Sequence, residues 1–100
     1  MSEARWTVPA DHPAFAGHFP GRPILPGVVL LDEAMRLAPL AVGHPLALRG
    51  LASAKFFHPV APGAALLFRY AAPTARGLAF EIRQGELTVA SGSFALGAAP

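Results

Sequence analysis

Apolar positions follow two periods along this chain. From Val28 to about Val42 the run VVLLDEAMRLAPLAV reads as a helix, with Val28, Val29, Leu30, Leu31, Ala34, Met35, Leu37, Ala38, Leu40 and Val42 surrounding it almost completely. Asp32, Glu33 and Arg36 fall together in one wedge roughly 100° wide, a polar stripe on an apolar rod. Pro39 is expected to end or kink the helix and Gly43 to stop it. Beyond it the period shortens to two. Leu46 to Val60 reads as a long extended segment interrupted at Gly50, and Ala64 to Ala72 alternates with Leu66, Phe68 and Tyr70 on one face. Leu78, Phe80 and Ile82 repeat the alternation, and a Gln84-Gly85 hairpin connects them to a last strand from Glu86 to Leu96. Ahead of the helix, Ala4 to Pro9 carries Trp6 and Val8 and suits an edge strand. One helix followed by about four antiparallel strands implies an α+β fold. A helix apolar all round needs cover that one curved sheet supplies on one side only, so a second subunit is expected.

Between the first strand and the helix, Asp11 to Pro26 reads as an irregular loop. Gly17, Gly21 and Gly27 free the backbone, while Pro20, Pro23 and Pro26 fix φ and remove donors, so the segment is rigid and non-repetitive. Asp11 is expected to cap a turn. The loop delivers Gly27 to the helix N-terminus, where amide N–H groups lack helical partners and meet the positive end of the dipole. His18 and Asp32 flank that possible oxyanion site. The polar stripe has two readings: an exposed edge with Arg36 paired to Asp32 and Glu33, or a carboxylate facing a cleft.

Composition narrows the class. With 100 residues the chain is expected to form a single domain, 1–100, and its 53% hydrophobic against 14% charged residues favours association. Gly, Pro, Asp and His break every apolar stretch before it reaches membrane-spanning length. MSEARW shows no signal-peptide pattern, and a chain without cysteine has neither disulfides nor a thiolate nucleophile, so a cytoplasmic location is expected. A net charge of +2 from scattered Arg and Lys residues is too thin for nucleic acid. No HExxH, repeated His spacing or G-x-S-x-G elbow points to a metal site or a serine nucleophile.

GHFPGRPILPGVVLLDEAM, from Gly17 to Met35, resembles the active-site segment of the beta-hydroxyacyl-acyl-carrier-protein dehydratases, hotdog-fold enzymes of fatty-acid and polyene synthesis. DHPAFAGH before it and KFFHPVAPG from Lys55 to Gly63 are similar to two further stretches of that family. The size and the D-H-P-A-F opening look most like the short dehydratases of aryl-polyene clusters. The resemblance implies a hotdog fold, with a curved antiparallel sheet wrapped around one central helix and paired into a dimer. It makes His18 the catalytic base and Asp32, fourteen positions later, the catalytic acid. It also makes Gly27, with Val28, the donor to the thioester oxygen. Three departures stand out: the acid is Asp as in the dehydratase/isomerase branch, Arg36 stands where the larger group commonly has Gln, and few residues precede His18.

Dehydration of a 3-hydroxyacyl thioester needs a base for the α-proton, a protonated acid for the departing hydroxyl, and donors for the enolate-like oxygen. His18, unlike the proline-preceding His12, His44 and His58, lies inside the rigid loop and suits the first task. Asp32 suits the second if burial keeps it protonated. Glu33 is the rival acid but misses the motif spacing. Phe15, Phe19, Phe56 and Phe57, with Ile24 and Leu25, are candidates for an acyl tunnel, although each is also a sound core residue. Arg22 and Lys55 are candidates for docking acyl carrier protein. No metal and no cofactor are implied. The expected activity is conversion of carrier-bound 3-hydroxyacyl thioesters to trans-2-enoyl thioesters by a homodimer, or by a heterodimer with a related subunit. A hotdog thioesterase and a silent partner subunit are the alternatives.

Overall fold

Period-two alternation has its physical outcome in one antiparallel sheet. The computed structural model describes residues 1–15 and 23–97, which form β1 (Ser2–Thr7), a single 3-10 turn (Pro13–Phe15), α1 (Gly27–Val42), β2 (Leu48–Phe56), β3 (Ala65–Tyr70), β4 (Leu78–Gln84) and β5 (Leu87–Leu96). The strands lie in the order β1-β3-β4-β5-β2, with every neighbour antiparallel. One sheet face buries Leu66, Phe68, Tyr70, Leu78, Phe80, Ile82, Val89 and Phe94. Phe80 and Phe94 stack with centroids 4.7 Å apart. On the other face the ion pairs Glu3–Arg69 and Arg69–Glu81 cross strands, and Arg83 pairs with Glu81 along β4.

The helix α1 packs on β1 and β3 through Leu30, Ala34, Leu37 and Ala38. The buried Tyr70 hydroxyl donates to the Ala34 carbonyl at 2.6 Å and ties helix to sheet. This is the hotdog arrangement. The opposite helix face is left uncovered by the described residues: Val28 and Leu40 are 63% and 69% exposed. Pro39 does not end the helix. Its missing donor is tolerated near the C-terminus, and the turn closes at Gly43, whose φ of 92° suits glycine and whose N–H donates to the Pro39 carbonyl.

Two other details differ from expectation. Gln84 still pairs with Leu87, so the hairpin turns at Gly85-Glu86, with Gly85 at φ 60°. Asp11 is exposed; the turn after it is closed by the His12 ring, whose Nδ1 accepts the Ala14 N–H at 3.0 Å. A nitrogen that accepts carries no proton, so this bond places the neutral ring's hydrogen on Nε2. At the far edge, β2 is bulged between Leu48 and Gly50 and again between Leu51 and Ser53. The short N-terminal segment does form a strand, because Ser2–Thr7 pairs residue for residue with Ala65–Tyr70.

Candidate active site

Two main-chain bonds frame a groove at the start of α1: one ties the segment leading into the helix to the loop after β2, the other ties that loop to β5. The Leu25 N–H donates to the Val60 carbonyl at 2.8 Å, and the Phe57 N–H donates to the Val89 carbonyl at 2.8 Å. Between these anchors lies an open cleft of about 460 Å³, lined by Ile24, Leu25, Gly27, Leu30 and the segment from Phe56 to Val60. Pro26 stands at the N-cap without a side-chain acceptor, and the first loop-to-helix bond is Val29 N–H to the Pro26 carbonyl. The Gly27 and Val28 amides therefore have no partner among the described residues. Phe56, half exposed, lays its ring over Gly27: a Cβ there would fall 2.8 and 2.9 Å from two ring carbons. Glycine is needed here for close approach, and Gly27 itself lines the cleft.

Asp32 lies elsewhere. The buried positions Leu30, Ala34, Leu37 and Ala38 centre on one helix face, and at 100° per residue Asp32 is displaced from that centre by roughly 175°. It is exposed, and it does not line the cleft. The burial expected of the acid is thus not supplied by the described residues, because the sheet covers the opposite side of the helix. The expected Asp32–Arg36 pair is also absent among the described residues. Arg36 instead forms a two-pronged contact with Glu33: Nε lies 3.1 and 3.0 Å from the two carboxylate oxygens, and Nη2 lies 2.8 Å from one of them. Those hydrogen bonds, and then the charge of Glu33, hold the Arg36 guanidinium above its ordinary pKa. Burial, aided by the same carboxylate, pushes the Tyr70 phenol well above its usual value.

The remaining sequence candidates divide. Phe57 shares the cleft with Phe56, and Val28 is exposed beside its mouth. Phe15 is half-buried against the core, edge-on to the His12 ring, rather than in the cleft. Lys55 is exposed on β2. His18, Phe19 and Arg22 lie outside the described residues. The structure also brings His58 to the cleft, one of the proline-preceding histidines passed over in favour of His18; its place directly after the Phe56-Phe57 pair was the available signal. Among the described residues, no three His, Asp or Glu side chains form a metal-binding group, and no helix is long and apolar enough to cross a membrane.

The ApeI-like family, described by the ApeI dehydratase, matches residues 1–93. The chain belongs to the ApeI-like dehydratase family. Its curated relatives include the 3-hydroxyacyl-acyl-carrier-protein dehydratase FabZ of Chlamydia trachomatis, 39% identical over 75 residues, which cover 66% of this chain and 49% of that one. The Rhodospirillum rubrum FabZ is 32% identical over 88% of this chain and 63% of its own. This ApeI-like chain thus spans about half the length of the first of these relatives. Among solved structures, the dehydratase heterocomplex ApeI:P from Xenorhabdus doucetiae matches with TM-score 0.80 and 27% identity, covering 97% of this chain and 88% of that one. The (R)-hydratase from A. caviae shares the fold, with TM-score 0.62 at 22% identity over 92% and 90% of the two chains.

Proposed function

We propose that this ApeI-like chain converts 3-hydroxyacyl thioesters carried on acyl carrier protein to trans-2-enoyl thioesters, with an active site completed by a second chain. The observation that carries the proposal is the division of the catalytic parts. The Gly27 amide, like that of Val28 without a partner among the described residues, lies at an apolar cleft, while Asp32 stands unburied on the far side of the same helix, on a face the described residues leave uncovered. A second subunit over that face both buries the apolar residues and desolvates Asp32, which favours its protonated form.

In this scheme the Gly27 and Val28 N–H groups polarise the thioester carbonyl, and donors of this kind contribute about 10² to 10³ in rate. His18 removes the α-proton. The C–H electron pair becomes the C=C bond as the C3–O bond breaks, and the leaving hydroxyl takes the Asp32 proton to depart as water. The proton on His18 then returns to Asp32, and the enzyme is restored. Phe56 and Phe57 form the wall along which the acyl chain lies, and Lys55, exposed where β2 ends beside the cleft, attracts the acidic carrier together with Arg22.

The test follows water loss by absorbance and mass with a 3-hydroxyacyl carrier-protein substrate for the parent, His18→Ala and Asp32→Asn. Each variant alone is expected to be inert. If base and acid come from different chains of a homodimer, re-equilibrated mixing of the two variants restores about one quarter of parental activity, since half of the dimers are mixed and each has one intact site. No recovery on mixing sinks the shared homodimeric site. Release of free acid by the parent would make the chain a thioesterase. The Xenorhabdus neighbour is described as a heterocomplex, so activity that appears only with a related second subunit would favour a heterodimer.

A further inference from the structure

Three charged residues share the exposed side of α1, and only two of them interact. Asp32 lies four residues before Arg36 and Glu33 three before it; both spacings bring side chains together on a helix, and an acid four residues ahead of a base is a favourable order. Because helical side chains lean toward the N-terminus, the Arg36 side chain points back toward the turn that carries both carboxylates. It binds Glu33, with both carboxylate oxygens within 3.1 Å of Nε and one 2.8 Å from Nη2. The Glu33 side chain is mostly buried, at 18% exposure against 55% for Arg36, so this carboxylate is the better anchored of the two acceptors. On the sheet side Tyr70 also acts on Arg36, and its hydroxyl is already committed to the Ala34 carbonyl.

We propose that Glu33 is a positioning residue that holds Arg36 away from Asp32 and so leaves the acid free to carry a proton. The proposal rests on the dehydratase reading of Asp32. A guanidinium beside a carboxyl favours the ionised form, and an ionised Asp32 has no proton for the departing hydroxyl. Glu33 is thus not a spare acid; it neutralises the cation that the helix would otherwise present to the working one.

The test compares the parent, Glu33→Gln and Glu33→Gln/Arg36→Gln in dehydration of the 3-hydroxyacyl carrier-protein substrate. It also records the Arg36 Nε–H resonance by NMR in the parent and in Glu33→Gln, each with and without Asp32→Asn. Glu33→Gln is expected to lower kcat about 2- to 10-fold with KM little changed, the range running from an exposed to a desolvated Asp–Arg pair. Removing Arg36 as well is expected to restore most of the rate, which a merely structural role for Glu33 would not allow. In the Glu33→Gln background Asp32→Asn should move the Arg36 resonance, whereas in the parent it should not. A double variant as slow as Glu33→Gln, or a resonance insensitive to Asp32 in that background, overturns the proposal. A parent that dehydrates nothing, alone or with a related second subunit, sinks the dehydratase reading instead, and the resonance then decides by itself whether Glu33 restrains Arg36.

Discussion

Replacing Gly27 by alanine separates what the glycine does for the fold from what it does for the site. An added Cβ would stand 2.8, 2.9 and 3.3 Å from three carbons of the Phe56 ring, so the ring must move. Phe56 is 50% exposed, and full burial of such a side chain is worth about 1.5 to 3 kcal/mol, so displacing it costs about 1 kcal/mol. Against this, alanine in place of glycine at a position with no positive φ narrows the unfolded ensemble and gains about 0.4 to 1 kcal/mol. The two effects nearly cancel. Gly27→Ala should therefore melt close to the parent in chemical denaturation, within about 0.5 kcal/mol, while Gly27→Ala in a Phe56→Ala background should show its full gain. The coupling in the double-mutant cycle should be about 1 kcal/mol. Activity should behave differently: a methyl group beside the two free amides obstructs the thioester oxygen, and kcat/KM should fall about 10- to 100-fold, part of the value of one lost donor. Destabilisation above about 2 kcal/mol that persists without Phe56 would refute the packing argument. Unchanged kcat/KM would refute the placement of the oxyanion site.

Two further outcomes follow from the core and the helix. The Tyr70 phenol has a raised folded-state pKa, so its contribution to stability is complete below the unfolded value near 10 and declines as pH rises above it, by about 1.4 kcal/mol per pH unit. Tyr70→Phe should lose about 1 kcal/mol at neutral pH with the bond to Ala34 and should flatten the alkaline decline; an unchanged slope in denaturation at pH 10 to 12 would contradict this assignment. Pro39→Ala should raise stability by about 1 to 3 kcal/mol, because the helix continues past it without its donor, and a denaturation midpoint at or below the parent's would show that the ring's packing outweighs the missing bond.

The sequence by itself determined the local elements. Alternation in Leu66, Phe68, Tyr70 and Leu78, Phe80, Ile82 needs only the two-residue period of a strand to decide which side is buried. The helix from Gly27 to Val42 and its stop at Gly43 likewise follow from short-range sterics. The spacing from Gly27 to Asp32 was legible for the same reason.

Only the tertiary structure decided between the two readings of the polar stripe, an exposed edge or a carboxylate facing a cleft, since the helix pattern permits both. That choice leaves Asp32 exposed and brings Gly27 beneath Phe56, a residue far along the chain whose partner no periodicity names. It also decided between two permitted spacings for Arg36, because i,i+3 and i,i+4 are both good and the more buried Glu33 won. Pairings between distant segments depend on how the whole chain closes, and so do the burial and charge of the groups that those pairings enclose.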